Sequence, residues 1–515
     1  MKRSAVLLLA LLSGCNGSSG LTVPPPIGGG GSPWMQYGST AQHAGDSASS
    51  PQPLAAIHWR VTLDPNPPSI PGIGGIDAHY GSPVITPGNT VIVPLKTTAS
   101  GGWGVDAVSG SSGAVLWKYA GDYITPQQGN FRLSQPSYNA VLSSNSRVYF
   151  AGSGGKLFYR DGADSAQGTV QTAVFYGAGA YGANKAAFDA NVQVNTPLTI
   201  DSKGDVFFGF YVSGPNPLNL QSGIARMDAA GHGTWVSASS AAGDPTITNV
   251  PTNSAPALSN DESTVYVAAE NINAGTGDLL ALDATTLKTK GKTALIDPYA
   301  NQPALVVDDS SASPMVGPDG DVYFGVLESL AIFPLHNDRG WLLHFDSSLA
   351  RGKIAGSFGW DDTASAVPAS MVPSYTGSSR YLIVTKYNNY YGIGSGDGKN
   401  RIAILDPNAT QPDPVLPSVT VMKEVETILA VTPDPRWPGS FKEWCINSAA
   451  VAPAANAVFV NSEDGKLYRW DLPSNSFTQS IMLAPPTAEA YTPTAVGPDG
   501  QVYAINDAVL NAVGR

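Results

Sequence analysis

The residues able to do chemistry are few and lie far apart in this chain. Asp77 and His79, two positions apart, could form an acid/base pair. Arg132, Gln135, Asn195, Asn253, Asp361, Trp444 and Tyr491 stand at later intervals, each just ahead of a short apolar strand. After Cys15 only Cys445 remains, so a vicinal cysteine pair is excluded, and Cys445 reads as a small buried hydrophobe. No CxxCH appears, so no covalent c-type haem is expected, and the six histidines show no familiar zinc-ligand spacing. Gly394 to Asn400 has neither a phosphate-loop pattern nor the acidic series of a calcium loop, and reads as a hairpin connection. Trp360-Asp361-Asp362 and Tyr387 to Tyr391 are aromatic and polar loops of the kind that either pack on neighbouring units or meet a carbohydrate or protein.

What must position these residues is a repeated unit, clearest from Ser254 to Lys288. A proline opens an apolar strand at Ala257-Leu258, Val265-Tyr266-Val267 alternates as a second strand, Leu279 to Leu282 forms a third, and Asp283 leads a turn. Openings of this kind fall at Pro83, Pro136, Pro197, Pro256, Pro314, Pro368, Ala449 and Pro493, about 59 residues apart. The second strands carry Val91-Ile92, Tyr149-Phe150, Phe207-Phe208, Tyr266-Val267, Tyr323-Phe324, Leu382-Ile383, Phe459-Val460 and Tyr503-Ala504. Seven copies end their third strand in an aspartate (Asp106, Asp161, Asp228, Asp283, Asp346, Asp406 and Asp471), expected to close a hairpin turn through its own backbone.

The pattern predicts an all-β, eight-bladed β-propeller, with seven blades as the alternative count. The last copy ends before its fourth strand. Ile57-His58-Trp59-Arg60 resembles the first blade's outer strand, Val115-Leu116-Trp117-Lys118, so the N-terminus is expected to complete the last blade. In such a ring, residues just before each inner strand gather at one mouth of the channel. Asp77, His79, Arg132, Gln135, Asn195, Asn253, Asp361, Trp444 and Tyr491 would then form a binding funnel, or else satisfy loop backbones and water. Val415 to Lys442 is the largest departure from the repeat and reads as a partner-binding flap or a spacer on the ring's side.

The ends and the composition set the setting. Lys2-Arg3 and the apolar run Ala5 to Leu12 predict an export leader, and Leu12-Ser13-Gly14-Cys15 resembles the bacterial lipoprotein box, with Cys15 as the lipidated residue. Residues 1–14 are thus expected to be a lipoprotein signal peptide, 15–33 a flexible Gly/Ser/Pro tether and 34–515 the propeller. Only 13% of residues are charged and the formal net charge is −12, which argues against nucleic-acid binding.

Asp106-Ala107-Val108-Ser109-Gly110 before Leu116-Trp117, and Leu280-Ala281-Leu282-Asp283-Ala284-Thr285, resemble the PQQ-type repeats of quinoprotein-dehydrogenase-like propellers. Trp34 to Gly45 followed by Trp59 resembles their usual entry, and the outer-strand tryptophan persists at Trp59, Trp117 and Trp235. A lipoprotein made only of such a propeller resembles the accessory subunit of the outer-membrane protein assembly machine, which implies partner binding without an active site. The expected function is therefore a lipid-anchored, non-catalytic binding or scaffolding module at the bacterial outer membrane, periplasmic or surface-facing, holding a protein partner or an extracellular glycan. The alternative is an enzyme with its site in the funnel, either a PQQ-dependent dehydrogenase or a polysaccharide-active hydrolase or lyase. No cofactor or metal is expected; PQQ with calcium is the alternative, without a supporting motif.

Overall fold

A computed structural model describes residues 31–68, 76, 79–99, 101–125, 138–306, 312–444, 448–486 and 494–515. The strands form eight separate antiparallel sheets, seven of them from consecutive stretches of the chain and the eighth joining its two ends, which is an eight-bladed β-propeller. The inner strands are Val84–Ile85, Ala140–Leu142, Thr199–Ile200, Ala257–Leu258, Met315–Val316, Ser365–Pro368, Ala450–Ala452 and Ala495–Val496. All eight aromatic or aliphatic pairs of the second strands are buried. Successive side chains of a strand point to opposite faces, so two adjacent apolar residues fill the gaps on both sides of one blade. Outer strands alternate instead, as Ala56–Thr62 and Ser476–Met482 do, because one of their faces meets water.

Ala56–Thr62 pairs antiparallel with Val509–Gly514, supplying the fourth strand of blade eight as the sequence predicts. Two of the outer-strand tryptophans tie blade to blade. Trp59 Nε1 donates to the Gly110 carbonyl at 2.7 Å, and Trp117 Nε1 to the Ala163 carbonyl at 2.8 Å. Trp235 is 40% exposed and packs edge-on against Phe210 instead.

The segment ahead of that closing strand has a second job. Residues 34–47 run along the inner strands and bond to one blade after another. Trp34 pairs with Ile85, Met35 with Leu142, the Gln36 amide with Ile200, Ala41 with Leu258, Gln42 with Val316, Ala44 with Ala366 and Gly45 with Val451. Buried backbone polar groups need partners, and this strap supplies them to seven blades in order. Gly45 sits at φ +71°, where a Cβ would lie 2.3 Å from Ser365 Oγ, so the strap can turn there only as glycine.

Four expectations need correction. Pro368 ends the sixth inner strand, pairing with Tyr381, and the strand starts at Ser365; without an N–H, proline is tolerated at a strand's end. Asp106 lies within a strand and pairs with Lys118 Nζ at 2.7 Å, because Ser109 to Gly113 makes the turn further on. Asp161 binds the Arg147 guanidinium rather than a turn. Asp228, Asp283, Asp346 and Asp471 do accept turn N–H groups, and Asp406 accepts one at a bulge. Finally, much of Val415 to Lys442 is neither flap nor spacer: Thr420–Leu429 is the outer strand of blade six.

That outer strand repairs a defect. Blade five has three regular strands among the described residues; in place of a fourth, residues 352–356 bridge irregularly to the third, Gly356 to Leu342 and Gly352 to Phe345, and the hairpin Arg401–Pro412/Thr420–Leu429 extends past its own blade onto that segment. Val419 and Val421 are buried in one cluster with Trp341, Leu343 and Phe345, and Met422 N donates to the Ala355 carbonyl. An exposed sheet edge invites aggregation, and here the chain covers its own.

Candidate functional site

Connections into the inner strands and loops between second and third strands emerge at the same end of every blade. On blades five and six these segments are long. They enclose a pocket of about 350 Å³. Asp338 comes from the loop 327–340 of blade five, and Tyr390, Tyr391 and Ile393 from the loop 388–400 of blade six. Trp360 and Asp361 come from the entry to blade six, Trp437 and Glu443 from the entry to blade seven, and Lys386 from the end of blade six's second strand.

Each group is fixed by its neighbours. Asp361 sits at φ +51°, a turn conformation that aspartate tolerates. Lys386 is buried; its Nζ donates to the Asp361 carbonyl at 2.9 Å, lies 3.9 Å from the Asp361 carboxylate and faces the Phe358 ring. Its charge is thus committed. The Arg339 guanidinium lies over Tyr387 and donates to the Ser357 and Asn388 carbonyls, which ties the blade-five loop to blade six. Tyr391 stacks on Trp437 with centroids 5.4 Å apart, both rings exposed at the rim.

Beneath that loop lies a second polar group, walled off from solvent. His336 stacks flat on Trp341 at 3.8 Å, its Nε2 is 3.2 Å from Asp413 Oδ2 at the hairpin tip, and its Nδ1 is 4.0 Å from Glu328. Burial pushes Glu328 up to about 8 and drives His336 down, while the hydrogen bond from His336 holds Asp413 low against its own burial. Two acids of the pocket, Glu443 and Asp338, are shifted the same way. Burial, then the Glu463 charge, push Glu443 up to about 8 against the pull of Arg436 and Lys386; burial raises Asp338. Burial also pushes Asp362, beside the pocket, up to about 7 against the opposing pull of Lys386 and Thr385.

The structure brings some of the predicted site residues together. His79, from the entry to blade one, is buried with Nε2 3.5 Å from Asp361 Oδ2, joining entries remote in sequence. Asn195 and Asn253 meet each other: Asn253 N donates to the Asn195 carbonyl, and Asn195 Nδ2 to the Val250 carbonyl. Those bonds serve loop backbones. Trp444 is fully buried, bonded through its backbone to Asn388 and packed on Tyr468 and Phe477, so it anchors blade seven. Asp77, Arg132, Gln135, Tyr491, Cys15 and Cys445 lie outside the described residues. Of the funnel candidates among the described residues, Asp361 alone lines the pocket; the loops Trp360-Asp361-Asp362 and Tyr387 to Tyr391 add Trp360, Tyr390 and Tyr391, the segment Val415 to Lys442 adds Trp437, and Asp338, Lys386 and Glu443 were missed. The signal that could have found them is the length of the loops leaving the same end of blades five and six.

No protein-family model matches the sequence, and a search of curated proteins finds no match. Among solved structures, the chain is similar to a europium-containing methanol dehydrogenase, with 10% identity, a TM-score of 0.54, and 92% of this chain and 88% of that one covered. It is also similar to the quinohemoprotein alcohol dehydrogenase from Comamonas testosteroni, with 12% identity, a TM-score of 0.51, and 94% and 77% covered.

PQQ, the cofactor of quinoprotein chemistry, does not fit the pocket described here. It is a tricarboxylate, and among the described residues the lining offers three carboxyl groups against the one ammonium of Lys386, already held by Asp361. Among the described residues no group of three or more His, Cys, Asp or Glu side chains could hold a metal ion. At these identities the likeness is one of architecture, and what it establishes is that this chain is an eight-bladed propeller with the fold of the quinoprotein alcohol dehydrogenases.

Proposed function

We propose that the protein is an exported, lipid-anchored binding module of the bacterial outer membrane that recognises its ligand or partner in the pocket of blades five to seven without covalent chemistry. The observation that carries this is the pocket's make-up. Its aromatic rings and polar side chains come from four separate segments held rigidly by a propeller core, as preformed recognition sites are. The anchoring rests on the leader and Cys15.

Two measurements test it. Cys15→Ser should move the protein from the membrane fraction to the soluble fraction. A photo-crosslinking residue at position 437, at the pocket rim, should capture a defined species in intact cells that one at position 235, on blade three, does not. Equal or absent capture at both positions refutes the binding reading.

A second reading, an enzyme acting in the same pocket, is favoured by one observation. Glu443, pushed up to about 8, shares the pocket with the Asp361 carboxylate, and two carboxyl groups in one cleft are what general acid–base catalysis uses. Turnover of a polysaccharide that is lost in Glu443→Gln would replace the binding reading with this one.

A further inference from the structure

Building on that binding reading, we infer that the pocket is a site for an organic cation, an ammonium-bearing group whose charge meets Asp338 and Glu443 and whose carbon skirt packs on the aromatic rim.

Three independent features carry the inference. The first is space: the pocket, at about 350 Å³, has room for a small organic group and is open at the rim. The second is the balance of charge within it. Among the described residues three carboxyl groups line the pocket, and the one lining ammonium, Lys386, sits against Asp361, donating to its carbonyl and lying 3.9 Å from its carboxylate. Among the described residues, Asp338 and Glu443 have no ion-pair partner, although both are half-buried. Ionising a desolvated carboxyl without a counter-ion is costly, which is why burial raises both groups, and an incoming cation offsets that cost. The third is the rings. Trp360, Tyr390, Tyr391 and Trp437 line the same space, and an aromatic face attracts an ammonium group through its quadrupole. A neutral sugar would use the rings but leave the acids uncompensated, and an anion would be repelled.

The titration of Glu443 supplies a signature that a merely apolar pocket lacks. Its carboxyl is raised by burial and by Glu463 and Asp434, and lowered by Arg436 and Lys386; Asp338 and Asp361 share the pocket with it. With a value of about 8, Glu443 is mostly protonated at neutral pH. A bound cation favours its ionised form. Binding must therefore release protons, and affinity must rise as pH climbs through that value.

The experiment is calorimetric titration of the full-length, detergent-solubilised protein with choline and 1,4-diaminobutane. Each is set against its neutral isostere, 3,3-dimethylbutan-1-ol and butane-1,4-diol, with maltotriose as a neutral sugar. The expected result is saturable binding of a cation at least about tenfold tighter than its isostere. Glu443→Gln and Asp338→Asn should each weaken it by roughly three- to tenfold without lowering the melting temperature, and Glu443→Gln should abolish the proton release seen across buffers of different ionisation enthalpy. Isosteres or maltotriose binding as tightly as the cations, or variants binding cations like the parent, would overturn the cation inference and leave the binding reading standing. No binding of any probe, with capture still specific to position 437, overturns the inference alone. No binding and no capture overturn both.

Discussion

Blade four and the sector formed by blades five and six are built from the same repeat, yet they differ in almost everything but their inner three strands. Blade four is regular: Ala257–Leu258, Thr264–Asn271, Thr276–Asp283 and Thr289–Ala294 pair in order, joined by short turns, and its buried side chains are mostly apolar. Blade five has only the irregular segment 352–356 where a regular outer strand would lie, blade six's overlong hairpin packs on it, and in this sector lie the pocket and the buried Glu328, His336 and Asp413. The repeat secures the ring, and its violations build the site. Strand pairing leaves little freedom for side-chain placement, whereas loops freed from the repeat can bring polar groups together.

That contrast can be broken most forcefully at Trp341, which is fully buried under His336 in the irregular sector. Trp341→Ala should cost about 3–5 kcal/mol in denaturant unfolding, and should also loosen the loop bearing Asp338. A cost below that of an equivalent blade-four truncation would show the sector to be an appendage.

Glu328 gives the next largest effect. Its carboxyl is raised from 4.5 to about 8, so the folded state holds its proton more tightly than the unfolded one. Its contribution is full below about 4.5 and is lost as pH rises through about 8. Glu328→Gln keeps the neutral shape and should stabilise the protein at pH 8 by on the order of 2–4 kcal/mol more than at pH 5. A difference between variant and parent that is the same at both pH values would refute this.

Val421→Ala, at the point where blade six's hairpin covers blade five, should cost about 1.5–2.5 kcal/mol. It should also speed hydrogen exchange in blade five's third strand while leaving blade four untouched. Exchange rising equally in both blades would mean that the hairpin is not what seals that edge. The smallest effect belongs to the regular blade. Asp283→Ala removes bonds to the Thr285 and Thr286 N–H groups at an exposed turn and should cost about 0.5–1.5 kcal/mol. A loss as large as that of Trp341→Ala would overturn the idea that blade four's stability lies in its strands.

The legible parts of the molecule are those governed by local rules. Val265-Tyr266-Val267 had to be a strand because its alternation fits a pleated, buried surface, and Ile57-His58-Trp59-Arg60 had to close the ring because the last copy ran short of a partner. Asp106 misled because an aspartate followed by small residues looks the same whether the turn comes at once or three residues on. Pro368 misled because proline marks either end of a strand. His79 and Asp361 were both candidates, but nothing in 281 intervening residues says that they touch.

By itself, then, the sequence determined the all-β class, the eight repeats, the closing N-terminal strand and the pairs that fill the gaps between blades, since period-2 burial and turn chemistry are read within a few residues. Only the tertiary structure decided that residues 34–47 strap the channel, that blade six seals blade five, and that Asp338, Asp361, Lys386, Trp437 and Glu443 share one pocket. Those arrangements depend on which loops the closed ring sets side by side, and loops carry no periodicity that would announce their neighbours.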